Sequence, residues 1–201
     1  MSQWFDIWSV EDPDERKDLQ IDGLRKSINF IQDIIRSETS LVCPDHIILA
    51  GISQGCATAI LTLLSGNIRL AGFIGLSSWL PFREEILGIA RGSSSHSELP
   101  LGIRTLFNPP FEDSSPQSEM AHRAQSGLGT PAFLAHCEDE DVVPIFHGER
   151  LRQGLEEFDM TLTWGAYKDG GHWINEPQGV DDIVAFIQRS MFSNRILGES
   201  I

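Results

Sequence analysis

Hydrophobic positions change period in a regular way along this chain. Leu24, Ile28, Ile31 and Ile35 recur at helical spacing, which predicts an amphipathic helix over about residues 14–38. His46-Ile-Ile-Leu-Ala is a continuous apolar run entering Gly51, as expected of a strand buried on both faces. Cys56 to Leu64 reads as a helix. Arg69 to Leu76 reads as a second strand, and Ala132 to Ala135 lies in a third, entered through Pro131. Thr161 to Tyr167, with its β-branched and aromatic residues, reads as a fourth. Leu151, Leu155 and Phe158 mark a helix face between the last two strands, and Val180, Ile183, Val184, Ile187 and Met191 mark a terminal helix. Strands alternating with helices predict the α/β class, a mostly parallel sheet with helices on both faces. Residues 83–130 break the alternation: Glu84 to Ala90 reads as one short helix, and Ser-, Pro- and Gly-rich sequence follows. The expectation is a single domain over 1–201 with an irregular, cap- or lid-like excursion at 83–130.

Charge narrows the partners. The 201 residues carry 15 Lys and Arg against 29 Asp and Glu, a formal net charge of −14. That field repels phosphate backbones and anionic headgroups, which argues against a nucleic-acid partner. The first residues, MSQWFDIWSVEDPDER, have neither a basic n-region nor an apolar h-region, so no secretory signal is read there. The most apolar stretch, His46 to Ser65, is interrupted by Gly51, Ser53, Gln54 and Gly55 and reads as strand–turn–helix, not as an integral membrane segment. Cys43, Cys56 and Cys137 are far apart, without metal-binding spacing, and fit free thiols in a reducing, cytoplasmic setting. No metal and no cofactor are expected, and a homo-oligomer is left open.

The chemistry concentrates at three places. Gly51-Ile-Ser53-Gln-Gly55 matches G-x-S-x-G between a strand and a helix, the context a nucleophile elbow requires. The turn would push the Ser53 hydroxyl out at the carboxyl end of its strand. The N–H of Gln54 would be one oxyanion donor, reinforced by the helix N-terminus. A serine nucleophile needs a base, and the base needs an orienting acid. His172, in Asp169-Gly-Gly-His172-Trp173 after the fourth strand, is the best base. The acid is sought in Glu138-Asp-Glu140-Asp141 after the third strand, where four successive carboxylates repel one another and one could turn inward. Of the remaining histidines, His136 reads as structural, His46 precedes a strand, His96 and His122 sit in the excursion, and His147 starts a helix.

These blocks resemble the acyl-protein thioesterase, or phospholipase/carboxylesterase, family of α/β-hydrolases. Trp4-Phe-Asp-Ile7 is similar to the family's W-F-D-I, and Ile47 to Gly55 to its R-I-I-L-x-G-F-S-Q-G. Leu76-Ser-Ser-Trp79-Leu80-Pro81 is similar to L-S-G-W-L-P. His136 to Pro144, with Gly170 to His172, is similar to H-G-x-x-D-x-x-V-P followed by G-x-x-H. Trp173 after the histidine is similar to the fungal-type branch. The resemblance implies Ser53 and His172 as catalytic residues, Gln54 as an oxyanion donor through its backbone, and an acyl site lined by apolar residues such as Trp79, Leu80 and Pro81. The family's catalytic Asp falls on Glu140, a departure that leaves Asp141, one position on, as the alternative. Cys56 replaces a small residue beside the elbow, where it would crowd the packing.

In the family, a strand ending in an H-G-x-G-D loop precedes W-F-D-I and supplies the second oxyanion donor, whereas here Trp4 stands three residues after Met1. The expectation is an N-terminally shortened member, a fragment or a short paralogue. Losing one such donor costs about 2.7–4 kcal/mol of transition-state stabilisation. Two functions therefore compete. One is a serine hydrolase that cleaves carboxylesters or S-acyl thioesters of small molecules or acylated proteins through an acyl-enzyme. The other is a catalytically impaired pseudo-hydrolase that binds or scaffolds.

Overall fold

The alternation of apolar residues within the strands sorts this molecule into two layers of core. The structure, a computed structural model, describes residues 3–93, 95, 98–107 and 126–192. Four strands, β1 (Ile48–Ile52), β2 (Gly72–Leu76), β3 (Ala132–Cys137) and β4 (Leu162–Tyr167), form one sheet in the order β1-β2-β3-β4. Every pairing is parallel. In register, Gly51 pairs with Gly75, Gly75 with Leu134, and Leu134 with Trp164. All four strands thus end at one edge, and the loops leaving that edge carry Ser53, Trp79, Glu140 and His172.

Successive strand residues face opposite sides. Phe73 and Leu134 enter the core beneath α1 (Ile21–Thr39), α2 (Gln54–Leu64), α3 (Arg83–Gly92), α4 (Leu99–Phe107) and α5 (Ile145–Glu156). Ile74, Leu76, Phe133 and Ala135 enter the opposite core, closed by Phe186 of α6 (Gln178–Phe192). The centre strands β2 and β3 are wholly buried, as near-continuous apolar runs between helix layers require. β1 is an edge of this sheet and is only partly buried, with Ala50 exposed.

The first helix starts later than its periodicity implies. Pro13 and a left-handed Arg16 (φ 50°) delay it, and Lys17–Gln20 form a 3-10 turn before α1 begins. Leu24 and Ile28 are then buried in the core shared with α2, and Ile31 is buried on the same helix.

The expected irregular excursion needs a larger correction. Residues 83–107 hold two helices, and both belong to the main core. In α4, Leu99, Ile103 and Phe107 are buried at successive helical turns, and Phe107 meets Phe82 edge-on at 5.3 Å. Pro100 and Gly102 hide this helix from a propensity reading, but packing overrides weak local preference. The rest of the excursion, residues 108–125, lies outside the described residues, as do His96 and His122.

Candidate active site

Between β1 and α2 the chain reverses at a single residue. Ser53 has φ 53° and ψ −128°, a conformation that costs a non-glycine residue energy and persists only where its surroundings enforce it. Ser53 N donates to Leu76 O at 2.9 Å, and Ser53 O accepts from Ala57 N at 3.0 Å and from Ser78 Oγ at 2.7 Å. The elbow is also a steric fit. A Cβ on Gly51 would lie 2.6 Å from Cys56 N and 2.7 Å from Cys56 Cα and Gly55 C, all backbone atoms. The first turn of α2 therefore presses directly on β1.

The expected crowding at Cys56 is relieved from the neighbouring strand. The thiol is fully buried, and a Cβ on Gly75 would come within 2.7 Å of its sulfur, so Gly75 makes its room. Burial pushes the Cys56 thiol up to about 12, against hydrogen bonds with Ser78 and the Leu76 backbone that lower it.

Gln54 does more with its side chain than the sequence indicates. Its Oε1 accepts from Trp4 N at 2.9 Å, and its Nε2 donates to Phe5 O at 2.7 Å. Ser27 Oγ donates to Trp4 O at 2.5 Å. These bonds strap the Trp4-Phe5 segment across the start of α2. Phe5 then meets Trp79 edge-on at 6.3 Å. Trp79, Leu80 and Pro81, expected to line an acyl site, are buried, Trp79 and Leu80 within the main core. Within that core Trp79 packs on Phe5, and Leu80 lies close to Gly154 of α5.

The loops after β3 and β4 meet at His172. Its Nδ1 lies 2.8 Å from Glu140 Oε2, and the Glu140 side chain is 0% exposed against 28% for the imidazole. The other oxygen, Oε1, accepts from Val142 N at 2.8 Å and Val143 N at 3.2 Å. Burial alone would raise the Glu140 pKa. The Val142 N–H, His172 and the Val143 N–H outweigh it, and the carboxyl is held below its ordinary value. A carboxylate acceptor assigns the proton of His172 to Nδ1, leaving Nε2 with a lone pair. Asp141 is exposed, and no hydrogen bond or ion pair joins it to His172 among the described residues.

Two further residues hold these loops, and neither was singled out as a site residue. Asp139 accepts from Gly171 N at 2.9 Å and from Gly170 N at 3.3 Å, which fastens the turn just before His172. That turn needs positive φ at both glycines, 126° and 56°. His136 is buried, and its ring Nε2 lies 2.7 Å from Val143 O, which anchors the loop bearing Glu140. A carbonyl can only accept, so Nε2 carries the proton there, and burial holds the His136 pKa below its ordinary value. Runs of carboxylates give no sequence signal for which one turns inward. His147 is likewise buried, with its Nε2 2.9 Å from Glu11 O.

Among the described residues no group of His, Cys, Asp and Glu is placed to hold a metal ion, and no helix is long and apolar enough to cross a membrane.

A family model described as Phospholipase/Carboxylesterase matches residues 1–97. Acyl-protein thioesterase 1 of Gibberella zeae is 26% identical over 194 residues, covering 95% of this chain and 69% of that protein. The protein of the same name from Saccharomyces cerevisiae is 26% identical over 196 residues, covering 96% and 70%. Among solved structures, Arabidopsis thaliana SOBER1 superposes with a TM-score of 0.68 at 22% identity, covering 95% of this chain and 75% of that one. Zea mays acyl-protein thioesterase 2 gives 0.64 at 20% identity, covering 94% and 72%. At that identity the structures speak for the fold, and the sequence matches run through both halves of the chain. A parallel sheet with a strained G-x-S-x-G elbow at its carboxyl edge, matched in this way, gives the chain a shortened α/β-hydrolase fold and a likeness to the phospholipase/carboxylesterase family, by family model over residues 1–97 and by acyl-protein thioesterase relatives over 95% of the chain.

Proposed function

We propose that this chain is a serine hydrolase acting on acyl esters or S-acyl thioesters, with Ser53 as nucleophile, His172 as base and Glu140 as the orienting acid. One observation carries the reading: a fully buried carboxylate holds His172 through Nδ1 at the same sheet edge where the strained elbow presents Ser53. In this mechanism His172 Nε2 takes the Ser53 proton as the hydroxyl oxygen attacks the acyl carbonyl. Glu140, kept ionised, stabilises the imidazolium that forms. The Gln54 N–H, at the positive end of the α2 dipole, faces the developing oxyanion. Collapse of the tetrahedral intermediate transfers the proton to the leaving alcohol or thiol. Water then hydrolyses the acyl-enzyme by the same steps, regenerating Ser53 and releasing the carboxylic acid.

Relatives named acyl-protein thioesterase and a fold neighbour named carboxylesterase support an acylated protein or small acyl ester as substrate. Three free thiols support a reducing, cytoplasmic setting. A second reading, a pseudo-hydrolase that binds without turnover, is favoured by one observation. No hydrogen bond joins the Ser53 hydroxyl to His172 among the described residues. Such contacts are often long in free enzymes and tighten with substrate. A fluorophosphonate probe separates the readings. Labelling of the wild-type chain and not of Ser53→Ala, together with hydrolysis of a p-nitrophenyl ester, is expected of the hydrolase. Absence of labelling on protein shown by circular dichroism to be folded establishes the pseudo-hydrolase instead.

A further inference from the structure

The other end of the sheet carries a feature the hydrolase reading does not use. A cavity of about 210 Å³ opens where the second half of α1, the C-terminal end of α2, the segment entering β2, and α4 converge. Ile35, Leu63, Ile68 and Leu70 form its apolar wall, and Arg36 and Arg104 its charged part. It lies at the amino ends of the strands, across the sheet from Ser53 and His172.

Two guanidinium groups on one cavity are unexpected in a chain with 29 acidic residues and 15 Lys and Arg, yet no acidic residue lines it. Arg104 is partly buried. Its Nε donates to Ser65 O at 2.6 Å, at the C-terminal end of α2. That bond fixes the guanidinium plane and leaves both terminal amino groups without a hydrogen bond or ion pair among the described residues. Arg36 bonds Asp33 one helical turn away, where both side chains are well exposed. Burial and the nearby Arg36 charge both lower the Arg104 pKa, so the two cations sense each other. Like charges held together beside an apolar wall are most favourable with an anion between them. A guanidinium fork suits a carboxylate through paired hydrogen bonds. A volume of 210 Å³ holds about seven water-sized groups, enough for a short acyl tail.

The geometry points to a binding site for a small amphipathic carboxylate, with its head on Arg104 and Arg36 and its tail along Ile35, Leu63, Ile68 and Leu70. This site is separate from the proposed hydrolytic centre and stands whether or not that centre turns over.

Hexanoate titrated into the full chain, followed by amide shifts in ¹H–¹⁵N spectra, tests it. Saturable shifts are expected at residues 63–70, with an affinity at least tenfold weaker in Arg104→Gln and about threefold weaker in Arg36→Gln. Arg36 is exposed, so its variant keeps the test decisive if Arg104→Gln does not fold. Hexanol and inorganic phosphate serve as controls, and each is expected to bind at least tenfold more weakly than hexanoate. Equal binding of hexanol would reduce the cavity to an apolar hole, and equal binding of phosphate would reduce it to a small-anion site. Either result overturns the proposal, as do shifts confined to residues 51–56 and 170–173 or an affinity unchanged in both arginine variants.

Discussion

Ser53 and His172 sit on the same edge of one sheet, but they are held there by different physics. Ser53 is placed by volume. The α2 backbone abuts Gly51, Cys56 fills the space left by Gly75, and the Gln54 strap lies over the turn. His172 is placed by charge and hydrogen bonding. Glu140 holds its ring, Asp139 holds the turn before it, and the Val142 and Val143 N–H groups hold Glu140. The elbow should therefore respond most to added atoms, and the imidazole loops most to lost charge and hydrogen bonds.

The largest effect tests the polar side. Replacing Glu140 by Gln preserves shape but removes the charge that stabilises the imidazolium in the proposed mechanism. It is expected to lower kcat for a p-nitrophenyl ester by about 10³–10⁴-fold, as loss of the orienting acid does in Ser-His-acid enzymes. Asp141→Asn, one residue on and exposed, should stay within about twofold, as surface substitutions away from a site do. A larger loss from Asp141→Asn than from Glu140→Gln would show that the wrong carboxylate has been assigned.

On the steric side, Gly51→Ala adds one methyl where three backbone atoms stand within 2.7 Å. Backbone cannot swing aside as a flexible side chain can, so the cost should sit at the top of the overpacking range, about 3 kcal/mol. Urea unfolding measures it, and a change under about 0.5 kcal/mol, the scale of ordinary surface substitutions, would refute the steric account. Asp139→Ala comes next. It frees the Gly170–Gly171 turn without touching the imidazole or the core. A kcat loss near tenfold, equivalent to about 1.4 kcal/mol, is expected with KM little changed. Partial recovery in Asp139→Asn, which keeps one acceptor oxygen, would separate loop positioning from a general loss of fold. A change in KM with constant kcat would instead make Asp139 a substrate contact.

The contrast also explains what could be read from sequence. Helical spacing at Leu24, Ile28 and Ile31, apolar strands entering turns, and the order serine, acid, histidine are all written in one dimension. The parallel α/β class and the elbow follow from them, whereas the strand order β1-β2-β3-β4 had to be seen. The resemblance narrows the acid to Glu140 or Asp141, and the choice between those two is a matter of side-chain direction on a loop, which shows only when β3 and β4 are paired. The burial of Trp79, Leu80 and Pro81 was hidden for a related reason: hydrophobicity reports a wish for burial without naming the partner, here Phe5, 74 residues earlier in the chain than Trp79. α4 was hidden because Pro100 and Gly102 weaken its local signal while its stabilising contacts are tertiary.

The two sides can also be compared through pH, one slope at a time. Glu140 has a lowered pKa, so its contribution to stability is full above the ordinary carboxyl value of 4.5 and is lost as pH falls through the folded value. Cys56 has a raised pKa, so its contribution is full below its ordinary value of 9.0 and is lost as pH climbs from there toward about 12. The His172 side should weaken in acid and the Ser53 side in alkali. Slopes, not absolute stabilities, carry the test, because Cys56→Ala also leaves a small void. Across the alkaline limb, wild type should lose up to about 1.4 kcal/mol per pH unit more than Cys56→Ala. Tyr167 and Cys137, whose pKa values are also raised, are present in both proteins and cancel in that difference. Glu140→Gln should flatten the acid limb and leave the alkaline one unchanged. Parallel alkaline limbs for wild type and Cys56→Ala would mean that the thiolate finds stabilisation inside the fold, and that the elbow is held by more than volume.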